Sequence, residues 1–390
     1  MIAIRGGKVL TMSEAGTIEN GIILVEGEFI KAVGKEVDIP EGCQSIDVGG
    51  KYICPGFIDG HTHIGLEEEI YRFEGDDVNE ISDPITPHLR ALDGINFSDL
   101  AFADALRGGV TRSMCMPGSA NIIGGQAVFL KHLAESLSEM AYRQPWGLKA
   151  ALGENPKRVY SAQKKTPRTR MANASLMREA LYNALQAIDK PESEIKDYPK
   201  QDILIKVLKK ELPLLLHVHR ADDILTSLRI KDEYNLNLII QHGTEAFIVA
   251  DELIKRDVPV FLGPLLVNRA KVEMKEVSFK NANLLAQQGV KFALITDHPV
   301  VPIEHLRVCA ALAVREGLDE ELALKAITRW PAEILGVDQE LGSISAGKRA
   351  DLAIFDGHPF DFRSRLNLVM VDGNVWGDKL EQGRSFYGLS

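Results

Sequence analysis

The sequence predicts an α/β fold: a (β/α)8 TIM-like barrel carrying a small β-sandwich domain made from both chain ends. Three observations predict it. Apolar strand-like runs alternate with helical patterns through the middle of the chain, and about eight strands can be counted there. The two ends read instead as short strands joined by tight turns. Several of the central strands end in a histidine or an aspartate.

The ends are read first. Gly21–Val25 and Phe29–Val33 flank Glu26-Gly27-Glu28, a hairpin signal. At the other end, Leu368–Val371 and Val375-Trp376 flank Asp372-Gly373-Asn374, and Asp351–Phe355 is a further strand. Each half is too small to bury much surface alone, so the two are expected to share one sandwich with the middle inserted between them. The expected boundaries are 1–54, 55–335 and 336–390.

In the middle, the strand ending at His63 is followed by an acidic, irregular stretch, 67–93. Helix Ser98–Gly108 and strand Val110–Met116 come next, then strands Gln126–Lys131 and Gly147–Leu152. Leu176, Ala180, Leu181, Ala184, Leu185 and Ile188 fall at helical spacing. Strands 214–218, 238–240, 259–262 and 291–295 then alternate with helices 222–234, 245–256, 280–288, 303–315 and 320–328. These strands are continuous apolar runs, as expected when both faces are covered. An open doubly wound sheet is the competing fold, but no glycine-rich phosphate loop follows the first strand.

The chain has 390 residues, a formal charge of −10 and 45% hydrophobic residues. That acidity argues against a nucleic-acid or anionic-membrane surface. No apolar run reaches the roughly 18 residues needed to span a bilayer. Cys43, Cys54, Cys115 and Cys309 lack metal or disulfide spacing, so a cytoplasmic protein with reduced thiols is expected.

Residues two apart on a strand share a face, so His61 and His63 present paired imidazoles. Other strands run into His217-Val-His219, into His242, and into Asp297. In a barrel these strand ends converge on one face. Imidazoles with a carboxylate suit a borderline cation such as zinc, in one or two copies. A metal-bound hydroxide would then attack a substrate, with Asp297 relaying the proton; the alternative for Asp297 is a helix cap. His217 and His219 share a face, and spacing does not choose between them.

Pro55–His63, Gly109–Thr111, His217, His242, Asp297, Trp330–Gly336 and Gly342–Leu352 together resemble the amidohydrolase superfamily, most closely its imidazolonepropionase-related branch, where prolidase-like peptidases also sit. The resemblance implies hydrolysis of an amide or cyclic amide in a small polar molecule. His61, His63, His217 and His242 would be ligands, and Asp297 both ligand and proton shuttle. His219 would be a substrate contact. A second metal would need a bridging anion, either a carbamylated Lys149 or Glu154. A deaminase on the same scaffold, or a metal-free binding scaffold, are the alternatives. Cations from Lys157 to Arg170 suggest a mobile loop for a substrate carboxylate, and a homo-oligomer is expected. Acidic residues 74–83 are expected on the surface, and Gly124-Gly125 near the substrate. His88, His132, His305 and His358 read as structural.

Overall fold

The computed structural model describes residues 1–70 and 73–376. The described residues form two eight-stranded sheets. One consists, in chain order, of Phe57–Thr62, Val110–Cys115, Ile123–Lys131, Ala141–Ala151, Leu214–Val218, Leu238–His242, Val260–Leu262 and Phe292–Leu294. Each strand pairs with the next in sequence, and Ile58 N–H bonds to Ile327 O while Thr62 bridges to His298, drawing the eighth strand round to the first. The result is a nearly closed (β/α)8-type barrel.

One strand departs from that plan. Ile123–Lys131 runs antiparallel to both neighbours. A parallel return needs a crossover of a dozen or more residues, and the connection 116–122 is too short and contains no helix. The third strand therefore starts, rather than ends, at the face where its neighbours end.

Two apolar layers hold the barrel. Ile58, Met114, Phe129, Leu215, Ile239, Phe261 and Ala293 fill its interior. Leu214, Leu216, Ile240, Val260 and Leu262 point the other way, into the layer under the helices. This is the alternation that a doubly covered strand requires. Gly60 is needed for the inner layer, because a Cβ there would lie 2.0 Å from the Phe261 ring.

The second sheet joins the chain ends. Tyr52–Pro55 pairs antiparallel with Leu352–Phe355, and Leu366–Val371 and Asn374–Trp376 extend that side. On the other side stand Ile2–Leu10, Thr17–Glu26 and Phe29–Gly34. The strand Ile2–Leu10 forks the sheet: its first half pairs with Gln44–Asp47 and its second with Tyr52–Pro55. Ile4, Ile23, Ile53, Leu352 and Ile354 form its core. Sheet and barrel are tied by buried Arg112, whose guanidinium meets Asp351 at 2.8 Å and Asp372 at 2.5 Å.

Some elements differ from their expected bounds. The stretch 157–170, expected as a mobile loop, is half helix: Glu154–Ala162 is helical, and the next helix, Arg170–Leu185, begins where the loop was expected to end. A further helix, Tyr198–Leu208, went unread because its apolar positions lie among charged ones. Among its described residues, the acidic stretch contains little regular structure beyond a short 3-10 turn at Ala91–Asp93.

Candidate metal centre

At the face where the parallel strands end, a cavity of about 420 Å³ opens. His63, His217, His219, His242 and Asp297 line it, with Asn155, Arg158 and Lys271 on the wall. Such a volume suits a small molecule. Among the described residues, two groups of side chains stand close enough to hold a cation: His61, His242 and Asp297, and His217, His219 and His242, with the ligand atoms of each group within 4.8 Å of one another.

The inner distances have the right scale. Asp297 Oδ1 lies 3.1 Å from His61 Nε2 and 3.3 Å from His63 Nε2. Two ligands each about 2.1 Å from a shared tetrahedral ion lie about 3.4 Å apart. Lys149, 1% exposed, places Nζ 3.3 Å from His61 Nε2. Its strand, Ala141–Ala151, is flanked by those of Ile123 and His217, and Leu148 and Ala150 face the outer layer, so Lys149 points into the barrel.

The backbone aims two of these side chains. Alternation along Leu238–His242 puts Ile239 and Gln241 on the inner face and leaves His242 out of step. A φ of +72° at His242 accompanies its departure from that pattern, and Asp297 has a φ of +56°. Left-handed backbone at non-glycine residues costs about 1–3 kcal/mol and gathers at functional sites.

Hydrogen bonds fix which ring nitrogen is free. Nδ1 of His61 faces Gln241 Oε1 at 2.7 Å, Nδ1 of His63 faces Met116 O at 2.7 Å, and Nδ1 of His242 faces Gly263 O at 2.9 Å. An oxygen acceptor holds the proton on Nδ1, leaving the Nε2 lone pair for the cavity. His219 Nδ1 pairs with the Thr244 hydroxyl at 2.8 Å. In His217 the buried Nδ1 has no partner. A buried imidazole nitrogen without a protein partner, packed against the His219 and His242 rings, suits coordination to a cation, so these residues fit a metal.

The electrostatics agree. Burial first, then the Lys149 charge, pushes His61 down to about 3. Burial likewise takes His217 to about 4 and holds His219 and His242 well below their usual value. All are then neutral, as metal ligands must be. Burial alone would raise Asp297, but His242, His61 and His63 outweigh it and keep the carboxyl well below its usual range. Burial brings Lys149 down to about 7.

The structure thus gathers His61, His63, Lys149, His217, His219, His242 and Asp297. It does not bring the Glu154 side chain into either group. Glu154 opens a helix, and its backbone N–H donates to Glu273 Oε2 at 3.0 Å. Glu273, 1% exposed, is the residue that the sequence reading missed. It lies in the long connection after strand Val260–Leu262. Loops of that length are often functional, and this was the available signal. Of the cations from Lys157 to Arg170, Arg158 lines the cavity, whereas Arg170 pairs with Asp223 at 2.9 Å. Of the acidic stretch, Glu67, Val78 and Asn79 reach the cavity, while Asp83 pairs with Lys200. Gly118, not Gly124 or Gly125, lines the cavity.

A barrel with imidazoles and a carboxylate gathered at its mouth defines a class of metal-dependent hydrolases. The profile of the Amidohydrolase family matches residues 149–376, and the chain belongs to that family, whose members hydrolyse carbon–nitrogen bonds with divalent metals. A crystal structure of an amidohydrolase from Thermotoga maritima is 41% identical, with a TM-score of 0.92 over 96% of this chain and 99% of that one. Imidazolonepropionase of Paracoccus denitrificans is 24% identical over 97% of this chain and all of its own length. Amidohydrolase tasK of Hapsidospora irregularis is 27% identical over 92% of this chain, which spans only 40% of that protein. A prolidase complexed with N-methylphosphonate-L-proline shares the fold, with a TM-score of 0.61 and 18% identity over 96% of this chain and 99% of that one. Among the described residues no helix is long and apolar enough to cross a membrane.

Proposed function

We propose that the chain is a zinc-dependent, cytoplasmic amidohydrolase that cleaves an amide or cyclic amide bond in a small polar molecule bearing a carboxylate. The observation that carries this reading is the convergence of His61, His63, His217, His242 and Asp297, with the unpartnered Nδ1 of His217 among them.

His61, His63 and Asp297 would hold one ion. His217 and His242 would hold a second, with Lys149 rather than Glu154 between the two, since its amine lies inside the barrel beside His61. A neutral amine adds carbon dioxide to form an anionic carbamate, and burial favours the neutral amine here. Metal in such a site supplies Lewis acidity, polarising a carbonyl and acidifying water.

The chain's own groups do the rest. Asp297, ionised and facing the cavity, takes the proton of the attacking water and delivers it to the leaving nitrogen. His219, which lines the cavity beside His217, contacts the substrate. Arg158, which has no ion-pair partner among the described residues, meets a substrate carboxylate at the mouth. Val78, Val159 and Met274 exclude water from the rest of the wall.

The test is metal analysis of the purified protein, followed by product analysis with dipeptides, N-acyl amino acids, imidazolones and cyclic imides. Bound metal and release of a carboxylic acid with an amine support the reading. Ammonia released from an amidine-type compound would move the chain to the deaminases, and a metal-free protein would make it a binding scaffold.

A further inference from the structure

We propose that Glu67 receives an ammonium group of the substrate, so that the cavity selects a zwitterionic amide with a free amine at one end and a carboxylate at the other. The inference deepens the proposed function and rests on it for the carboxylate at Arg158.

Glu67, Glu68 and Glu69 follow one another just beyond the strand that carries His61. Their side chains are engaged differently. Glu68 Oε2 accepts from Asn96 Nδ2 at 2.7 Å, and Glu69 faces His298, with Oε1 3.9 Å from Nε2. Of the three, Glu67 lines the cavity, and its carboxylate has no hydrogen-bond or ion-pair partner among the described residues. The charges that act on it are His63, then the carboxylates of Asp76 and Asp297, with no lysine or arginine among them. A half-buried carboxylate in such company lacks a counter-charge. Its backbone is pinned although it stands in a connection. Glu67 N–H bonds to His63 O at 3.0 Å, Glu68 N–H to Gly75 O at 2.9 Å and Asp77 N–H to Leu66 O at 2.8 Å.

The cavity wall also carries two cations, Arg158 and Lys271. Lys271 is engaged by Glu273 at 2.9 Å and by Asn155 at 3.1 Å. Arg158 has no such partner among the described residues. It lies three residues beyond Asn155 on the helix Glu154–Ala162, so the two share a face, and Asn155 Nδ2 is 3.4 Å from His217 Nε2. Unmatched negative charge thus stands on the His63 side of the centre and unmatched positive charge on the His217 side. An amide lying between them is oriented by both of its ends, amine toward Glu67 and carboxylate toward Arg158. The simplest such molecule is an unblocked dipeptide. An N-acylated amino acid answers Arg158 alone and leaves Glu67 covered without a partner. Val78, Val159 and Met274 offer an apolar wall to a side chain.

The test uses the full-length, zinc-loaded protein and three probes: L-leucyl-L-alanine, its N-acetyl form and its C-terminal amide. The wild type should favour the free dipeptide over the N-acetyl form about 10–100-fold in kcat/KM, the worth of one hydrogen bond to a charged group. Glu67→Gln should erase that preference. Glu67→Lys should reverse it, toward N-succinyl-L-leucyl-L-alanine, which carries a carboxylate at that end. Arg158→Met should instead erase the preference for the free dipeptide over its amide. Circular dichroism and zinc content show that each variant is folded and loaded. An N-acetyl form cleaved as fast as the free dipeptide, a preference for the amine that survives in either folded Glu67 variant, or loss of zinc from folded Glu67→Gln would overturn the inference. Turnover confined to N-acyl amino acids, imidazolones or cyclic imides would also overturn it while leaving the proposed function standing. A wild-type chain that holds no zinc, or cleaves none of these amides, would overturn both.

Discussion

Thr296 sets its backbone N–H (3.1 Å) and its hydroxyl (2.5 Å) on Oδ2 of Asp59, at the seam where the eighth barrel strand meets the first. The other oxygen of Asp59 accepts the N–H of His61 at 3.2 Å. One buried carboxyl thus braces the residue beside Asp297 and the start of the His61–His63 pair. Asp59→Asn would turn an amide N–H2 toward donors. We predict a loss of about 1–3 kcal/mol in stability together with weaker zinc binding. Chemical denaturation and zinc titration measure the two; wild-type values for both would remove Asp59 from this role.

Asp297→Asn keeps the side-chain shape but cannot take a proton. Turnover should fall on the order of 10² to 10⁴ or more, with an unchanged circular dichroism spectrum. Full activity in the variant would rule out Asp297 as the proton carrier.

Lys149 and Glu154 separate on metal content. Lys149→Gln should cost the protein its second ion, since the variant cannot form a carbamate. Glu154→Gln should leave the metal count unchanged, because the wild-type contact there is a backbone N–H. Elemental analysis of the two proteins decides it, and the reverse result would make Glu154 the bridge.

His132 gives a pH dependence away from the metal centre. Its Nε2 meets Ser113 Oγ at 2.8 Å and its Nδ1 meets Val110 O at 3.0 Å, and burial pushes the imidazole down to about 4. The folded state keeps it neutral, whereas the unfolded chain protonates it below about 6.5. Its contribution is therefore complete above about 6.5 and lost as the pH falls toward about 4, amounting to about 3 kcal/mol. Urea denaturation of metal-free protein across that range should show a shallower pH slope for His132→Gln than for the wild type. Parallel slopes would contradict the assignment.

Arg112→Met should destabilise the protein by about 3–5 kcal/mol, because Asp351 and Asp372 would remain buried with their main cation gone. Adding Asp351→Asn should recover part of that loss in the double variant. No recovery would mean that the two residues do not share an interaction.

The barrel and the histidine cluster were legible because both follow from short-range pattern. Apolar runs mark strands, and a histidine at a strand end needs no long-range information to be noticed. The antiparallel third strand was not legible in that way: Gln126–Lys131 reads the same in either direction, and only the helix-free connection before it hinted at the reversal. Spacing left Lys149 and Glu154 undecided because the turn at Gly153, with φ +83°, redirects the chain between them. Glu273 escaped notice because Lys271–Met274 has no periodicity, and its relation to His217 exists only across the cavity.

The reversed third strand has a consequence for how this chain can diversify. Every residue proposed to hold metal stands on or just beyond the first, fourth, fifth, sixth and eighth strands. The second and third contribute none, yet their short junction brings Gly118, Ser119 and Ala120 to the cavity wall. With Met116, whose carbonyl holds Nδ1 of His63, and Ser119, whose hydroxyl accepts from Asn155, kept in place, that quadrant is the natural place to retune substrate preference in the laboratory.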